Sequence, residues 1–335
     1  MIGVFVELDV VINQMIVLFC IMAVGFVVGK FKMITPDSNK LLTRIVLFIA
    51  LPCTILNSVF ENEINITVGD TLYFMLMALL TFAIAFAVSI PIIFLLRSEK
   101  QNVGILNFLS IFSNCGFMGF PVVIAIMGVS SAYYVALFNI PFNALVFSIG
   151  IFMLSSGKQG DGSSAWSAEK TEQKNRPPAW SSDKSGFNPK SLINPVLIVA
   201  LLAVPLALIG FKPPQILADA LRITGGITTP GGMLVIGSTL AYVPFKTILS
   251  EWRIIPVTLV KLIIIPIVTW LILRQLISND LLLGVLVIVS AMPSAAMASM
   301  LVIEYGGNEK TASAGVFLTT LLCGITVPLL VFLLL

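Results

Sequence analysis

The sequence predicts an all-α membrane protein of ten transmembrane helices, arranged as two inverted five-helix repeats whose fourth and ninth helices are interrupted. Three observations lead to this prediction. Of the 335 residues, 58% are hydrophobic and only 10% are charged, whereas a soluble domain carries about 25% charged residues. The apolar residues fall into ten runs, and lysine and arginine concentrate in alternate connections between these runs.

The ten runs have the length that a membrane span requires. A bilayer core about 30 Å thick needs about 20 apolar residues in a helix. The runs cover residues 11–29, 41–60, 71–96, 103–127, 131–155, 191–210, 227–244, 254–275, 281–303 and 312–335. Residues 156–190 are rich instead in glycine, serine, proline and mixed charges, which is typical of a flexible aqueous linker. The predicted units are therefore a first repeat, 1–155, the linker, 156–190, and a second repeat, 191–335.

The distribution of positive charge orients the helices. The odd-numbered connections contain Lys30, Lys32, Lys40, Arg44, Arg97, Lys100, Lys158, Lys170, Lys174, Arg176, Lys184, Lys190, Lys246, Arg253 and Lys310. The even-numbered connections contain only Lys212, Arg222 and Arg274. Because cytoplasmic loops are enriched in lysine and arginine, we expect a cytoplasmic linker and both termini outside. An odd number of helices in each half then gives the halves opposite orientations, as in the inverted repeats of secondary transporters.

Two of the runs contain residues that interrupt a helix. The fourth has two glycines and a proline between Gly116 and Pro121, and the ninth has Pro293 near its middle. Paired interruptions in matching spans of two halves point to a transporter's binding site. Half-helices starting at Pro121 and Pro293 would present unpaired N–H groups and positive dipole ends to an anion. The alternative is a simple proline kink without function.

Polar residues near these breaks are the candidate ligands. Asn139 and Asn143 lie one turn apart and share a helix face. Their alternative role, like that of the serines, is hydrogen bonding between helices. The predicted substrate-binding residues are Asn114, Gly116, Met118, Gly119, Pro121, Asn139, Asn143, Ser290, Pro293 and Ser294.

Ionisable residues within the runs are rare. Lys261 is the clearest, because a central lysine costs roughly 2.5–3.5 kcal/mol on insertion. We predict that Lys261 and Asp70 form a polar network that supports the site. The alternatives are that Lys261 extends its side chain toward the cytoplasmic face near Arg253, and that Asp70 and Glu304 are solvated at span ends.

Composition also excludes several functions. The net charge is +3, and the positive residues are spread over short connections, so no basic face is available for nucleic acid. The sequence lacks histidine and has no nucleotide-binding, metal-ligand or Ser/His/Asp pattern. We therefore predict that the protein is not an enzyme and has no cofactor or metal, and leave coupling to Na⁺ or H⁺ open.

The segment from Asn114 to Pro121, NCGFMGFP, resembles the fourth-helix motif of the auxin efflux carrier family, whose bacterial members are often called malate or malonate permeases. Weaker matches follow in the family's order over nearly the whole chain outside the linker. They are Leu51-Pro52, Asn194-Pro195, Gly237-Ser238, Lys261 with Pro266, Pro293, and Glu304-Tyr305-Gly306. The sequence departs from plant auxin carriers in its short linker and in Gly119-Phe120-Pro121 at the crossover, which argues against auxin itself.

The resemblance implies a fold like that of sodium/proton antiporters and bile-acid symporters. Helices 1, 2, 6 and 7 would form a scaffold, which also supports a homodimer, and helices 3–5 and 8–10 a transport domain. Broken helices 4 and 9 would cross at the substrate, with Pro121 and Pro293 at the crossing. Asn114 would contact the substrate carboxylate, and Asp70 would match an acidic position on the third helix.

The residues predict a secondary transporter for a small mono- or dicarboxylate. The resemblance implies that it is of the elevator type and that its substrate is one such as malate or malonate. The expected location is a plasma membrane of the bacterial inner-membrane type, with the substrate and the lipid bilayer as partners. Three alternatives stay open: a bile-acid-like sodium symporter, an auxin-type carrier, and a membrane sensor that binds the ligand without transporting it.

Overall fold

The computed structural model describes residues 8–60, 67–96, 100–155, 211–242, 252–305 and 308–335, with a few further positions between 198 and 209. This part of the chain is helical and contains no strand beyond one isolated bridge between Ser113 and Ser294. The predicted linker, 156–190, and most of the predicted sixth span, 191–210, lie outside the described residues. The division into two repeats therefore stays a prediction, as do the count of ten spans and their inverted relation.

The helices of the first half match the predicted runs within a few residues. They are α1 (Leu8–Lys30), α2 (Pro36–Ile45), α3 (Leu51–Phe60), α4 (Val68–Leu95), α5 (Lys100–Ile111), α6 (Phe120–Met127), α7 (Ser131–Leu145) and α8 (Ile151–Ser155). Three π turns connect pairs of these helices, at Val46–Ala50, Cys115–Gly119 and Val146–Gly150. The π turns join α2 to α3 and α7 to α8 into continuous helices.

The second half is described from residue 211 onward. Its helices are α9 (Gln215–Gly225), α10 (Thr228–Ala241), α11 (Ile254–Leu259), α12 (Ile265–Leu273), α13 (Asp280–Ala291), α14 (Ala298–Tyr305) and α15 (Glu309–Leu334). A fourth π turn, Val260–Ile264, joins α11 to α12. π turns are rare and occur often at functional sites, and two of the four meet at the site described below.

Five helices in the described part are long and apolar enough to cross a membrane. They are Asp37–Asn57, Val68–Leu95, Ser131–Leu154, Ile254–Leu273 and Lys310–Leu334. Shorter apolar helices cover Met15–Lys30, Asn102–Ile111, Cys115–Met127 and Asp280–Ala291. The last three are short because the predicted fourth and ninth spans are each divided in two.

Side-chain caps set where several helices begin. Thr67 accepts a hydrogen bond from the amide of Asp70 at 3.1 Å, and Asp70 accepts one in return from the amide of Thr67 at 3.2 Å. This capping box satisfies two free amides at the start of α4. Asn279 and Asn308 cap α13 and α15 with their side chains alone, each accepting from two backbone amides.

Glycines bring α1 and α10 into backbone contact. A Cβ atom at Gly237 would lie 1.9 Å from the carbonyl oxygen of Met22, and one at Gly25 would lie 2.6 Å from that of Leu234. Small residues permit this approach between membrane helices. Asn39 connects α2 to the same helix α10 by two hydrogen bonds of 2.8 Å. Its Nδ2 donates to Thr239 Oγ1, and its Oδ1 accepts from Ser238 Oγ.

Helix α9 is amphipathic and too short to span a bilayer. Ile216 and Ile223 are exposed on it, while Asp219 pairs with Arg222 at 2.9 Å. The hydrogen bond from Arg222, and to a smaller extent that from Gln215, lowers the pKa of Asp219 below its usual value. An apolar face beside a charged face is typical of a helix that lies at the membrane surface.

Hydrogen bonds between helices divide the described helices into two groups. In the first group, which we call the outer group, Asn39 and Thr54 join α2, α3, α9 and α10. Tyr242 donates to the carbonyl oxygen of Ile34, between α1 and α2, and α1 packs on α10 through the glycines. In the second, the crossing group, α4 to α8 and α11 to α15 are joined. Its bonds involve Thr71, Tyr73, Ser89, Ser131, Lys261, Ser294 and Ser313. Between described residues, no hydrogen bond connects the two groups.

The glycine contact gives a test of the packing. Gly237→Ala places a methyl group against the backbone of Met22, so α1 and α10 must separate. Overpacking of this kind typically costs 1–3 kcal/mol, and we expect a clearly lower unfolding temperature in detergent. Gly69→Ala is the control, because its Cβ would meet nothing nearer than Thr67 Oγ1 at 3.6 Å. Equal unfolding temperatures for the two variants would contradict this packing.

Candidate functional site

Two helices break inside the crossing group and pair with each other. Helix α5 ends at Ile111 and the chain turns helical again at Cys115, while α13 ends at Ala291 and α14 begins at Ala298. We predicted that the half-helices begin at Pro121 and Pro293, and this was wrong. Pro121 lies within the first turn of α6, which continues the π turn, and Pro293 lies in the extended segment before α14. Pro293 is thus at the crossing, whereas Pro121 is not.

Backbone hydrogen bonds hold the broken segments together. The amide of Asn114 donates to the carbonyl oxygen of Pro293 at 2.7 Å, and the amide of Ala295 donates to that of Phe112 at 2.8 Å. Ser113 and Ser294 face each other between these bonds as an antiparallel bridge. The backbone groups released by one break are therefore satisfied by the other, as a membrane interior requires.

The two serines of the ninth span serve the crossing structurally. Ser294 Oγ donates to the carbonyl oxygen of Leu109 at 2.6 Å, and its amide donates to Thr319 Oγ1 at 3.1 Å. Ser290 Oγ donates to the carbonyl oxygen of Val287 at 2.7 Å. Both hydroxyl protons are thus engaged, and both side chains are buried.

Asn114 caps the half-helix that follows the first break. Its Oδ1 accepts from the amide of Phe117 at 3.2 Å, and its carbonyl oxygen accepts from the amide of Gly119 at 2.9 Å. In the described part of the chain, Asn114 Nδ2 and the amide of Gly116 donate to no protein group. A Cβ atom added at Gly116 would meet no atom within 4 Å. Two free N–H donors therefore lie beside open space at a helix N-terminus.

The side-chain amine of Lys261 lies at the same place. Its side chain has an exposed fraction of 0%, and its Nζ donates to Ser113 Oγ at 2.5 Å and to the carbonyl oxygen of Ser290 at 3.3 Å. Among the described residues no carboxylate forms an ion pair with it. The alternative of a side chain extending to the cytoplasmic face was wrong, because Lys261 is held inside the crossing by both broken segments.

The remaining predicted substrate-binding residues fall into two environments. Met118, Gly119 and Pro121 are buried in or after the π turn, and a Cβ atom at Gly119 would contact protein atoms at 3.6 Å. On α7, which packs against this turn, Asn139 Nδ2 donates to the carbonyl oxygen of Val135 at 2.8 Å. Asn143 Nδ2 donates to that of Asn139 at 2.7 Å. Their side-chain oxygens accept no hydrogen bond within the described residues.

Asp70 does not join the crossing. It is exposed at the start of α4, and its hydrogen bonds are those of the capping box with Thr67. Ser113, in contrast, was not among the predicted residues, although it directly precedes Asn114. Its hydroxyl accepts from Lys261 and its backbone pairs with Ser294, so it connects three spans.

Comparison with known proteins identifies the family. A family model described as membrane transport protein matches residues 10–331. The chain belongs to this family, the auxin efflux carriers. It is thus a membrane transporter and a multi-pass membrane protein, and the predicted resemblance is confirmed.

Relatives match over almost the full length. The uncharacterized transporter YfdV of Escherichia coli K12 is 22% identical over 327 residues, which is 96% of each chain. A protein of Rhizobium meliloti named "Putative malonate transporter" is 24% identical over 319 residues, 94% of this chain and 93% of its own. An uncharacterized transporter of Methanocaldococcus jannaschii is 25% identical over 325 residues, 94% of each chain.

Proposed function

We propose that this family member is a secondary transporter, not an enzyme, that moves a small mono- or dicarboxylate such as malate or malonate across the plasma membrane. The observation that carries the proposal is the buried cation Lys261 at the crossing, with no ion pair to a described carboxylate. A buried charge without a counter-ion is costly, and an anion bound beside it removes that cost. The name of the Rhizobium relative supports a dicarboxylate.

The geometry around Asn114 and Gly116 suits a carboxylate. Asn114 Nδ2 and the amide of Gly116 are free donors at a helix N-terminus, where the helix dipole favours negative charge. The open side of Gly116 leaves space for the ligand. The free side-chain oxygens of Asn139 and Asn143 would accept from a hydroxyl group such as that of malate. In this proposal Asn114, Gly116 and Lys261 contact the anion, and Ser290, Pro293 and Ser294 hold the crossing in place.

The two hydrogen-bonded groups support an elevator movement. In the proposed mechanism the crossing group moves as one body and carries the site, while the outer group stays fixed in the membrane. Contacts between the groups involve packing of α3 on α7 and of α1 on α6, without hydrogen bonds between described residues. Such an interface can slide without leaving polar groups unpaired in the lipid. The distribution of lysine and arginine supports a cytoplasmic linker and outward termini.

Transport itself is tested with purified protein in proteoliposomes. Radiolabelled malonate and malate should enter the vesicles with saturable kinetics, and each should compete with the other. The matched control is empty liposomes of the same lipid. Saturable binding by the purified protein without flux under any gradient would show a sensor, and would rule out the transporter.

Asn114→Asp tests the anion site without removing the cap. The carboxylate keeps an oxygen for the amide of Phe117, but it replaces the free donor with negative charge beside Lys261. We expect malonate affinity to fall by at least about tenfold, equivalent to about 1.4 kcal/mol, with an unchanged unfolding temperature or a higher one. Asn308→Asp makes the same change at the cap of α15 and should retain transport. Unchanged affinity in Asn114→Asp would remove Asn114 from the site.

Gly116→Ala tests the open space. The added methyl group meets no protein atom within 4 Å, so the fold should be unaffected or slightly stabilised, by roughly 0.4–1 kcal/mol. Because the methyl group would occupy space assigned to the substrate, we expect about a tenfold loss of malonate affinity. In Gly119→Ala the methyl group contacts protein at ordinary distances, and affinity should change little. A larger loss of affinity in Gly119→Ala than in Gly116→Ala would place the substrate elsewhere.

A further inference from the structure

We propose that Lys261 couples transport of the anion to the movement of one proton in the same direction. The inference rests on the proposed anion transport through the crossing. It adds the driving force, which the fold and the family do not specify.

The position of Lys261 makes its charge dependent on the ligand. Its side chain is fully buried, and both of its hydrogen-bond partners, Ser113 Oγ and the carbonyl oxygen of Ser290, are neutral acceptors. Neutral acceptors orient an ammonium group without neutralising it. A neutral amine keeps an N–H to donate and avoids the desolvation of a buried charge. The bound anion is therefore what stabilises the protonated form.

Other titratable groups around Lys261 offer no alternative proton carrier among the described residues. Its π turn packs against α4, α5, α13 and α15. The thiol of Cys115 lies within electrostatic reach of Lys261, and Cys323 is a second buried thiol, on α15. The other ionisable residues of these helices stand in their first two turns: Asp70, Tyr73, Lys100, Asp280, Glu309 and Lys310. The sequence contains no histidine.

The proposed cycle is balanced in atoms and charge. With the anion bound, Nζ carries three protons and faces the carboxylate. When the anion leaves, one N–H bond breaks, its electron pair stays on the nitrogen, and the proton passes to water on the open side. The crossing group then returns with Lys261 as a neutral amine. A charged ammonium without a bound anion would have to move past the apolar interface, which is costly. Each anion is thus accompanied by one proton.

The test compares two modes of transport in proteoliposomes, with radiolabelled malonate at pH values where both of its carboxyl groups are ionised. Exchange of external for internal malonate at equal pH requires only the loaded carrier. Accumulation driven by an acidic outside requires proton coupling. The wild type should show both, and a pH-sensitive dye in the lumen should report acidification when malonate enters.

Lys261→Arg separates the two modes, because arginine keeps its charge at all accessible pH values. We expect exchange to fall, because Lys261 contacts the anion, and pH-driven accumulation to fall by roughly tenfold or more beyond that loss. Exchange should fall as pH rises in the wild type and should be independent of pH in the variant. Lys310→Arg, the same change at an exposed residue at the start of α15, should behave as the wild type.

If the Lys261→Arg variant does not fold, Lys261→Gln and the measurements on the wild type still test the inference. Lys261→Gln should fold, as judged by its unfolding temperature, and should lose both modes. Exchange without any response to the pH gradient or lumenal acidification in the wild type would overturn proton coupling and leave anion transport intact. The absence of both exchange and accumulation in the wild type would overturn the proposed function, and this inference with it.

Discussion

The antiparallel pairing between the two broken helices is the interaction on which the rest of the structure depends. A break in a membrane helix releases amides and carbonyls that lipid cannot satisfy. Here the amide of Asn114 bonds Pro293, and that of Ala295 bonds Phe112, so each break supplies partners for the other. The pairing places Ser113 next to Ser294 and opens a helix N-terminus beside Gly116. Neither break is stable by itself, and the site exists because there are two.

The second feature that organises the molecule is the separation of its hydrogen bonds. Lys261 connects the π turn of its own span to both broken helices, and Ser294 connects the crossing to α5 and, through Thr319, to α15. The outer group is held together differently, by glycine contacts between α1 and α10 and by the bonds of Asn39. Each group is thus internally polar, while their common surface relies on packing. This arrangement is the one that the proposed elevator movement requires.

The sequence predicted the described helices well and the position of the two breaks only in part. Apolar runs of bilayer length are a local property, so the bounds of α1, α4 and α15 agree with prediction within a few residues. Gly116, Gly119 and Pro121 identified the interrupted span, but the break itself lies earlier, at Ser113 and Asn114. The position of the break depends on pairing with Pro293, a contact between distant parts of the chain. Gly116 and Gly119 do not interrupt the helix, because both lie within the π turn. Lys261 was recognised as unusual, yet its partner Ser113 is 148 residues away, and no local pattern specifies that contact.

The burial of Lys261 has a consequence for how the protein distinguishes its ligands from the surrounding solution. Mobile ions screen a surface charge beyond about 8 Å at physiological ionic strength, but they act much less on a buried one. A site built from surface lysines would weaken at high salt, whereas a protonated Lys261 enclosed by two broken helices would be screened little. In the proposed site, attraction for anions in general would therefore be weakened little by salt. Discrimination among anions would then depend on shape, through the donors of Asn114 and the free volume beside Gly116.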